Sequence, residues 1–206
     1  VLLDGPVAPG AKTGSFGAVD AAASPDGRLV ASVHAEGPAR IWDATTGRLL
    51  RRLTADTGSG VAVAFHPNGV QVATGGLGGV LRVWNADTGA EVVALRQPAD
   101  VRTVMFSPDG RTMLTACRNG SVTLWRTAGW SSTTTLSDAT GLTSAALSPD
   151  GTLIATSHND GTVVLWRITD RKRIITLHAH TGPVNTVAFS PDGRTLATAG
   201  LDGTIR

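Results

Sequence analysis

The chain has 206 residues, 41% hydrophobic and 17% charged, enough apolar content for a packed core and too much for wholesale disorder. Formal net charge is only +2 with no Tyr and one Cys, so the pI near 9.3 reflects a shortage of groups titrating between His and Lys/Arg and is no nucleic-acid signature. The single cysteine, Cys117, excludes an intramolecular disulfide scaffold and a Cys-based zinc site, and no apolar run reaches the roughly 20 residues of a membrane-spanning helix.

In chain order, residues 1–3 read as the outer strand of a preceding unit, and residues 6–16 as a Gly/Pro/Ala-rich connection. A repeat then begins. Its first marker is a turn: SPDG at 24–27, HPNG at 66–69, and SPDG again at 107–110, 148–151 and 190–193. Its second marker is tryptophan. Only 4% of the chain is aromatic, yet Trp42, Trp84, Trp125 and Trp166 fall 42, 41 and 41 residues apart, with Trp130 alone off register. Two markers in phase define an internal repeat, which takes precedence over any local motif.

The unit is clearest from 142 to 177. An apolar stretch at 142–147 precedes Pro149-Asp150-Gly151, whose Pro and Gly supply turn chemistry. Residues 153–157 form a second strand, ended by Asn159-Asp160-Gly161, a hairpin signal. The β-branched run TVVLW at 162–166 is a third strand, and 173–177 a fourth after a polar corner. No 3.6-residue period persists for two turns. A lone four-stranded sheet cannot bury both faces, so such units must stack on one another. The third strands read as continuous apolar runs, as expected of sheets covered on both sides. First strands are rich in small residues (Ala21 to Ala23, Ala62, Ala64, Ala145, Ala146, Ala188), which suits crowding around an axis. The expected architecture is all-β, with radially arranged, four-stranded antiparallel blades.

These residues resemble the Trp-Asp (WD) repeat β-propeller family, best over HTGPVNTVAFSPDGRTLATAGLDGTIR at 180–206. The resemblance covers roughly residues 15 to 206 in five units, at about 15–53, 54–95, 96–136, 137–177 and 178–206, after a tail and connection at 1–14. Only Trp42-Asp43 is a literal Trp-Asp; the others read Trp84-Asn85, Trp125-Arg126 and Trp166-Arg167. The family's Gly-His is best kept as Ala179-His180, with Gln97 and Ala139 in equivalent places. The resemblance implies a structural network of a His, a second-strand Ser/Thr, a turn Asp and the third-strand Trp. Here those would be Ser32, Thr74, Thr115, Thr156 and Thr198, the four in-register tryptophans, His180, and Asp160 and Asp202, with Glu36, Gly78 and Asn119 replacing the Asp elsewhere. Unit four then lacks its His, unit five stops before its Trp, and units one to three are expected to be the less rigid. Propellers of this family mostly close with about seven blades, so five units imply an open arc of a larger propeller rather than a closed five-bladed ring in which residues 1–3 complete the last blade.

Other constellations are absorbed by the repeat. The glycines at 75–79 lack the Lys-Ser/Thr and helix of a phosphate loop and fall on a hairpin. Among His34, His66, His158, His178 and His180, only the last pair has metal-ligand spacing, without a third ligand. Arg171-Lys172-Arg173 reads as a solvated corner, Cys117 as a small buried residue, and Trp130 as either a cover for blade three or an exposed anchor. No metal, cofactor or catalytic residue is expected. The expected function is a non-catalytic protein-interaction scaffold or sensor. Its resemblance-implied face would carry Ala35, Leu77, Arg118, Asn159 and Leu201, with Arg102 and Asn185 near first-strand starts. A propeller enzyme or small-ligand binder is the alternative, and would need convergent carboxylates or His that the first strands do not supply. A protein or peptide partner is expected, with no nucleic acid and no membrane insertion, and with self-association through exposed blade edges. Sixteen Arg against two Lys point to a GC-rich, bacterial genome, and the near-consensus repeats resemble propellers of large bacterial signalling proteins in the cytoplasm.

Overall fold

The computed structural model describes residues 18–54, 59–137 and 141–206. The strand and connection expected at 1–16, and Ala139, lie outside the described residues. Blade one comprises β1 (Ala18–Ala23), β2 (Leu29–His34), β3 (Ala39–Asp43) and β4 (Leu49–Leu53). Blade two comprises β5 (Gly60–Phe65), β6 (Gln71–Gly76), β7 (Val80–Asn85) and β8 (Glu91–Arg96), with a 3-10 turn at Leu77–Gly79. Blade three comprises β9 (Val101–Phe106), β10 (Thr112–Cys117), β11 (Ser121–Arg126) and β12 (Ser131–Ser137). Blade four comprises β13 (Leu142–Leu147), β14 (Leu153–His158), β15 (Thr162–Arg167) and β16 (Lys172–His178). Blade five contributes β17 (Val184–Phe189) and β18 (Leu196–Gly200), and Ala199 bridges Ile205 beyond them. Strand order in every sheet is chain order, with antiparallel neighbours throughout.

The SPDG turns are local and self-sufficient. In the turn at Ser107, the hydroxyl donates to Asp109 Oδ1 at 2.6 Å, the same oxygen accepts the Arg111 N–H, and Ser107 Oγ accepts the Thr112 N–H. Ser24/Asp26, Ser148/Asp150 and Ser190/Asp192 repeat the pattern. Gly110 sits at φ +69°, a conformation that favours Gly because an L side chain crowds its own backbone there. Each turn thus folds the first strand back on the second without long-range help.

The core lies between the sheets. One apolar cluster joins Ile41 and Leu53 of blade one to Val72 and Trp84 of blade two. A second joins Leu81 and Val83 of blade two to Val104, Met113 and Trp125 of blade three. A third joins Leu124 and Leu136 to Ile154 and Trp166, and a fourth joins Val163 to Val184 and Val187. Alternation along the third strand produces this directly: Val83 points to the following blade and Trp84 to the preceding one. The stack is an open arc running from blade one to blade five, with no closed sheet among the described residues.

Trp130 is half-buried at φ +51° before β12, with its ring edge-on to Phe106 at 6.4 Å. It packs against the cluster between blades two and three, which makes it a cover. The glycine run at 75–79 forms the end of β6 and the turn into β7. Among the described residues, no helix is long and apolar enough to cross a membrane.

Candidate partner-binding face

One irregularity recurs in all five blades. The first strand pairs with the second in register except for a single skipped residue after its first position: Val19, Val61, Arg102, Thr143 and Asn185 are left out of the ladder. A bulge of this kind bends the strand and re-aims the unpaired side chain. Each bulged residue lies at the same end of its blade as the turn between second and third strands, where Ala35, Leu77, Arg118, Asn159 and Leu201 follow the second strand. Backbone bonds tie the two sets together. The Arg118 N–H donates to the Asp100 carbonyl, Asn159 to Gly141, Leu201 to Pro183 and Leu77 to Ser59.

This end of the arc divides by chemistry. Blades one and two present Val19 (50% exposed) and Leu77 (46% exposed), together with Val61 and Ala35. Blades three to five present Arg102, Arg118, Thr143, Asn159 and Asn185, which with Leu142 line a polar pocket of about 330 Å³. Arg118 stands 3.9 Å from Asp100, whose Oδ1 accepts the Gly78 N–H. Such an exposed pair contributes little, so the guanidinium is available to an incoming group. Thr143 Oγ1 bonds Ser157 and donates to the Val184 carbonyl, fixing the pocket floor between blades four and five. Leu201 is largely exposed beside it. The bulged Val19, Val61 and Thr143 were not among the residues singled out from sequence, where only a break in strand alternation hints at them.

Behind this face run buried polar networks. Trp42 Nε1–H donates to Ser32 Oγ at 2.8 Å, Trp84 to Thr74 at 2.9 Å, Trp125 to Thr115 at 3.0 Å and Trp166 to Thr156 at 3.1 Å. In blade five His180 Nδ1–H donates to Asp202 Oδ1 at 3.0 Å, and its Nε2 accepts from the Thr198 hydroxyl at 2.8 Å. Thr204's hydroxyl and then His180 hold the Asp202 carboxyl far below the ordinary carboxylate range. Asp160 is lowered chiefly by the Thr162 hydroxyl.

The sequence reading leaves unit four without its histidine, and here the structure differs. His158, the last residue of β14, places Nε2 3.0 Å from Thr156 Oγ1. His34 does the same for Ser32 in blade one, also at 3.0 Å. Both lie two residues beyond the hydroxyl on the same face of the second strand, so the imidazole enters from the strand rather than from the incoming loop. Burial and then Arg40 push the His34 pKa down. In blade three Gln97 is buried nearby, but its Oε1 accepts from Thr123 Oγ1 and Cys117 Sγ, both at 3.4 Å, while the second-strand Thr115 hydroxyl donates to the Thr123 carbonyl. Burial raises the Cys117 thiol pKa. Blade two has Gly76 at this position, where a Cβ would lie 2.7 Å from the Ser59 carbonyl oxygen. His178 is exposed, and among the described residues no group of three or more His, Cys, Asp or Glu is placed to hold a metal ion.

The family model for the WD domain, G-beta repeat matches residues 47–85, 91–126, 130–167 and 171–206. The chain belongs to the WD40 repeat family. Three of the WD40 matches begin near the outer strand of one blade and run through the third strand of the next, as 47–85 takes in β4 and then β5 to β7. The fourth, 171–206, takes in β16 and then β17 and β18. The first three strands of blade one lie before the matched WD40 repeats, yet they form the same sheet with the same Trp–Ser bond. WD40 propellers generally mediate protein–protein interaction and are generally non-catalytic. No curated protein matches this WD40 chain in sequence.

Proposed function

We propose that this chain is a non-catalytic interaction platform whose protein partner lies across the bulged end of the blades. The observation that carries the reading is the bulge repeated in five blades, which turns five first-strand side chains out of the ladder beside the second-to-third-strand turns. The partner reads two sectors, apolar Val19 and Leu77 on blades one and two, and the Arg102/Arg118 pocket on blades three to five. Ala35, Asn159, Asn185 and Leu201 complete the contact. The buried Trp–Ser/Thr bonds hold the blades rigid, so the face is pre-organised and its binding entropy cost low. Assignment to a larger, cytoplasmic, bacterial signalling protein is part of the same reading: the Arg-rich composition supports the bacterial source, and the near-consensus repeats resemble those of bacterial signalling proteins. Self-association through edge strands is supported by exposed Ile174, Ile175 and Leu177 on β16.

Photo-crosslinkers placed at Leu77 or at Asn159 in the full chain, used in extract of the source organism, test the reading. They are expected to capture the same partner, and the Arg102→Ser/Arg118→Ser variant to lose it while its tryptophan emission stays native. A crosslinker at Asp109, on the opposite end, is expected to miss it. Capture of that partner at Asp109 alone, or undiminished capture by the double variant, overturns the reading.

A further inference from the structure

At the opposite end of the blades, where first strand turns into second, neighbouring blades meet across four equivalent grooves, and one is unlike the rest. Between blades two and three the groove is filled by the chain itself. His66, at the position where the other turns carry Ser, lays its ring against Gly110 and edge-on to Phe106 with centroids 4.9 Å apart. Its Nε2–H donates to the Gly110 carbonyl at 2.8 Å, and its Nδ1 accepts the Asn68 N–H at 3.0 Å. Thr127's hydroxyl donates to the same Gly110 carbonyl at 2.7 Å.

One groove later the counterparts, 41 residues on, are Ser107 for His66, Gly151 for Gly110, Leu147 for Phe106 and Ile168 for Thr127. Ser107 turns its hydroxyl onto its own turn, toward Asp109, and Ile168 has no donor, so neither counterpart supplies a hydrogen bond to the Gly151 carbonyl. The space stays open. A Cβ at Gly151 would meet nothing within 4 Å, whereas one at Gly110 would lie 2.6 Å from His66, one at Gly193 3.5 Å from Pro149 and one at Gly69 3.9 Å from Pro25. The result is a cavity of about 350 Å³, with Leu147 and Ile168 among its apolar walls. Asp109 and Asp150 line it as well, where the filled groove has Asn68 and Asp109 at the matching positions. Each carboxylate spends Oδ1 on its own turn, and Asp150 Oδ2 also accepts from the Thr152 hydroxyl, which leaves that oxygen a further lone pair toward the cavity. Arg111, beside Asp109, keeps its side chain in solvent with Nε 4.0 Å from the carboxylate.

We propose that the cavity between blades three and four accepts a planar, N–H-bearing cationic side chain of a protein partner, an arginine above all, in the place that His66 fills within the chain one groove earlier. The guanidinium donates to the Gly151 carbonyl and lies between Asp109 and Asp150, and its aliphatic stem packs on Leu147 and Ile168. A planar cation with several N–H donors matches a carbonyl and two carboxylates around one cavity, which a compact ammonium matches less well. The site lies at the far end of the blades from the partner face proposed above and stands independently of it.

Amide-resolved titration of the full chain with the peptide acetyl-Leu-Arg-Leu-amide tests this. Saturable shifts are expected at Asp109, Gly151 and Ile168. The lysine analogue and free methylguanidinium are expected to bind about tenfold more weakly or worse. Ser107→His, which copies the His66 plug, is expected to abolish the shifts. Ile168→Thr, which copies Thr127 and leaves the groove open, is expected to weaken binding, and it decides the matter should the histidine variant fail to fold. The proposal is overturned by absent or non-saturating shifts, by lysine binding as well as arginine, or by variants that fold and bind unchanged. Tighter binding of free methylguanidinium than of the peptide would assign the cavity to a small cation and also overturn it.

Discussion

His180 occupies the space that any side chain at position 200 would need: a Cβ on Gly200 would lie 2.5 Å from Nδ1 and 2.6 Å from Cγ of the imidazole. The two ways of delivering a histidine to the second-strand hydroxyl therefore exclude each other. At Gly200 the strand leaves room and the ring enters from the incoming loop. Where the strand ends in His, as at His34 and His158, the strand itself brings the ring.

Gly200→Ala is accordingly expected to push His180 off Thr198 and Asp202 and to destabilise the chain by about 1–3 kcal/mol, the usual cost of overpacking. Urea unfolding followed by tryptophan emission measures it. Wild-type stability in the variant would show that the ring relocates without loss.

Replacing the tryptophan of a blade by phenylalanine removes the indole N–H that donates to the second-strand hydroxyl across the sheet. Trp84→Phe leaves Thr74 Oγ1 without its indole partner and opens a small void against Ile41 and Val72. The expected cost is about 2–4 kcal/mol. Trp130→Phe keeps an aromatic cover and removes no such bond, so its cost is expected to be clearly smaller in the same measurement.

Acid should weaken the fold in two stages. His34 has a pKa depressed below 6.5 by burial and then by Arg40, so below pH 6.5 the unfolded chain takes up a proton more readily than the folded one and stability falls. The turn carboxylates come next. Asp202, depressed chiefly by the Thr204 hydroxyl and then by His180, contributes stability above its ordinary value of 3.8 and loses it as pH drops further. Urea midpoints measured from pH 7.5 to pH 3 are expected to show both stages. His34→Asn should flatten the first and Asp202→Asn should shrink the second.

The repeat itself was legible in the sequence, because Trp42, Trp84, Trp125 and Trp166 and the SPDG turns are local signals with a fixed beat. What the tryptophans bond to followed from the resemblance and not from spacing. Two features were not legible. His34 and His158 carry no local mark that separates them from a histidine pointing to solvent, since their role depends on which neighbouring residue leaves room, as Gly200 does for His180. The bulges at Val19, Val61, Arg102, Thr143 and Asn185 were hidden too, because a skipped residue alters pairing without altering the length of the repeat.

Gly79→Ala is expected to be among the costliest single changes in the chain. At φ +73° its backbone favours glycine, and a Cβ there would collide with the Gln97 carbonyl oxygen, which sits on the connection into blade three. A loss of about 3 kcal/mol or more is expected. Gly27→Ala, at φ +70° with nothing within 4 Å, should pay only the conformational part. Comparing the two thermal midpoints isolates the collision.

The offset between sequence repeat and sheet has a consequence for how such an arc can change over evolutionary time. Because the matches at 47–85, 91–126 and 130–167 each open on one blade's last strand and close on the next blade's third, loss of one whole period, residues 89–129 for example, would not leave a gap. Strand β7 would be followed by β12 in the place of β8, and the hybrid sheet would again hold four strands. The joint between genetic units falls inside the sheet and the joint between sheets falls inside a genetic unit, like bricks laid in overlapping courses. Lengthening or shortening the arc therefore preserves every strand-pairing type it already uses.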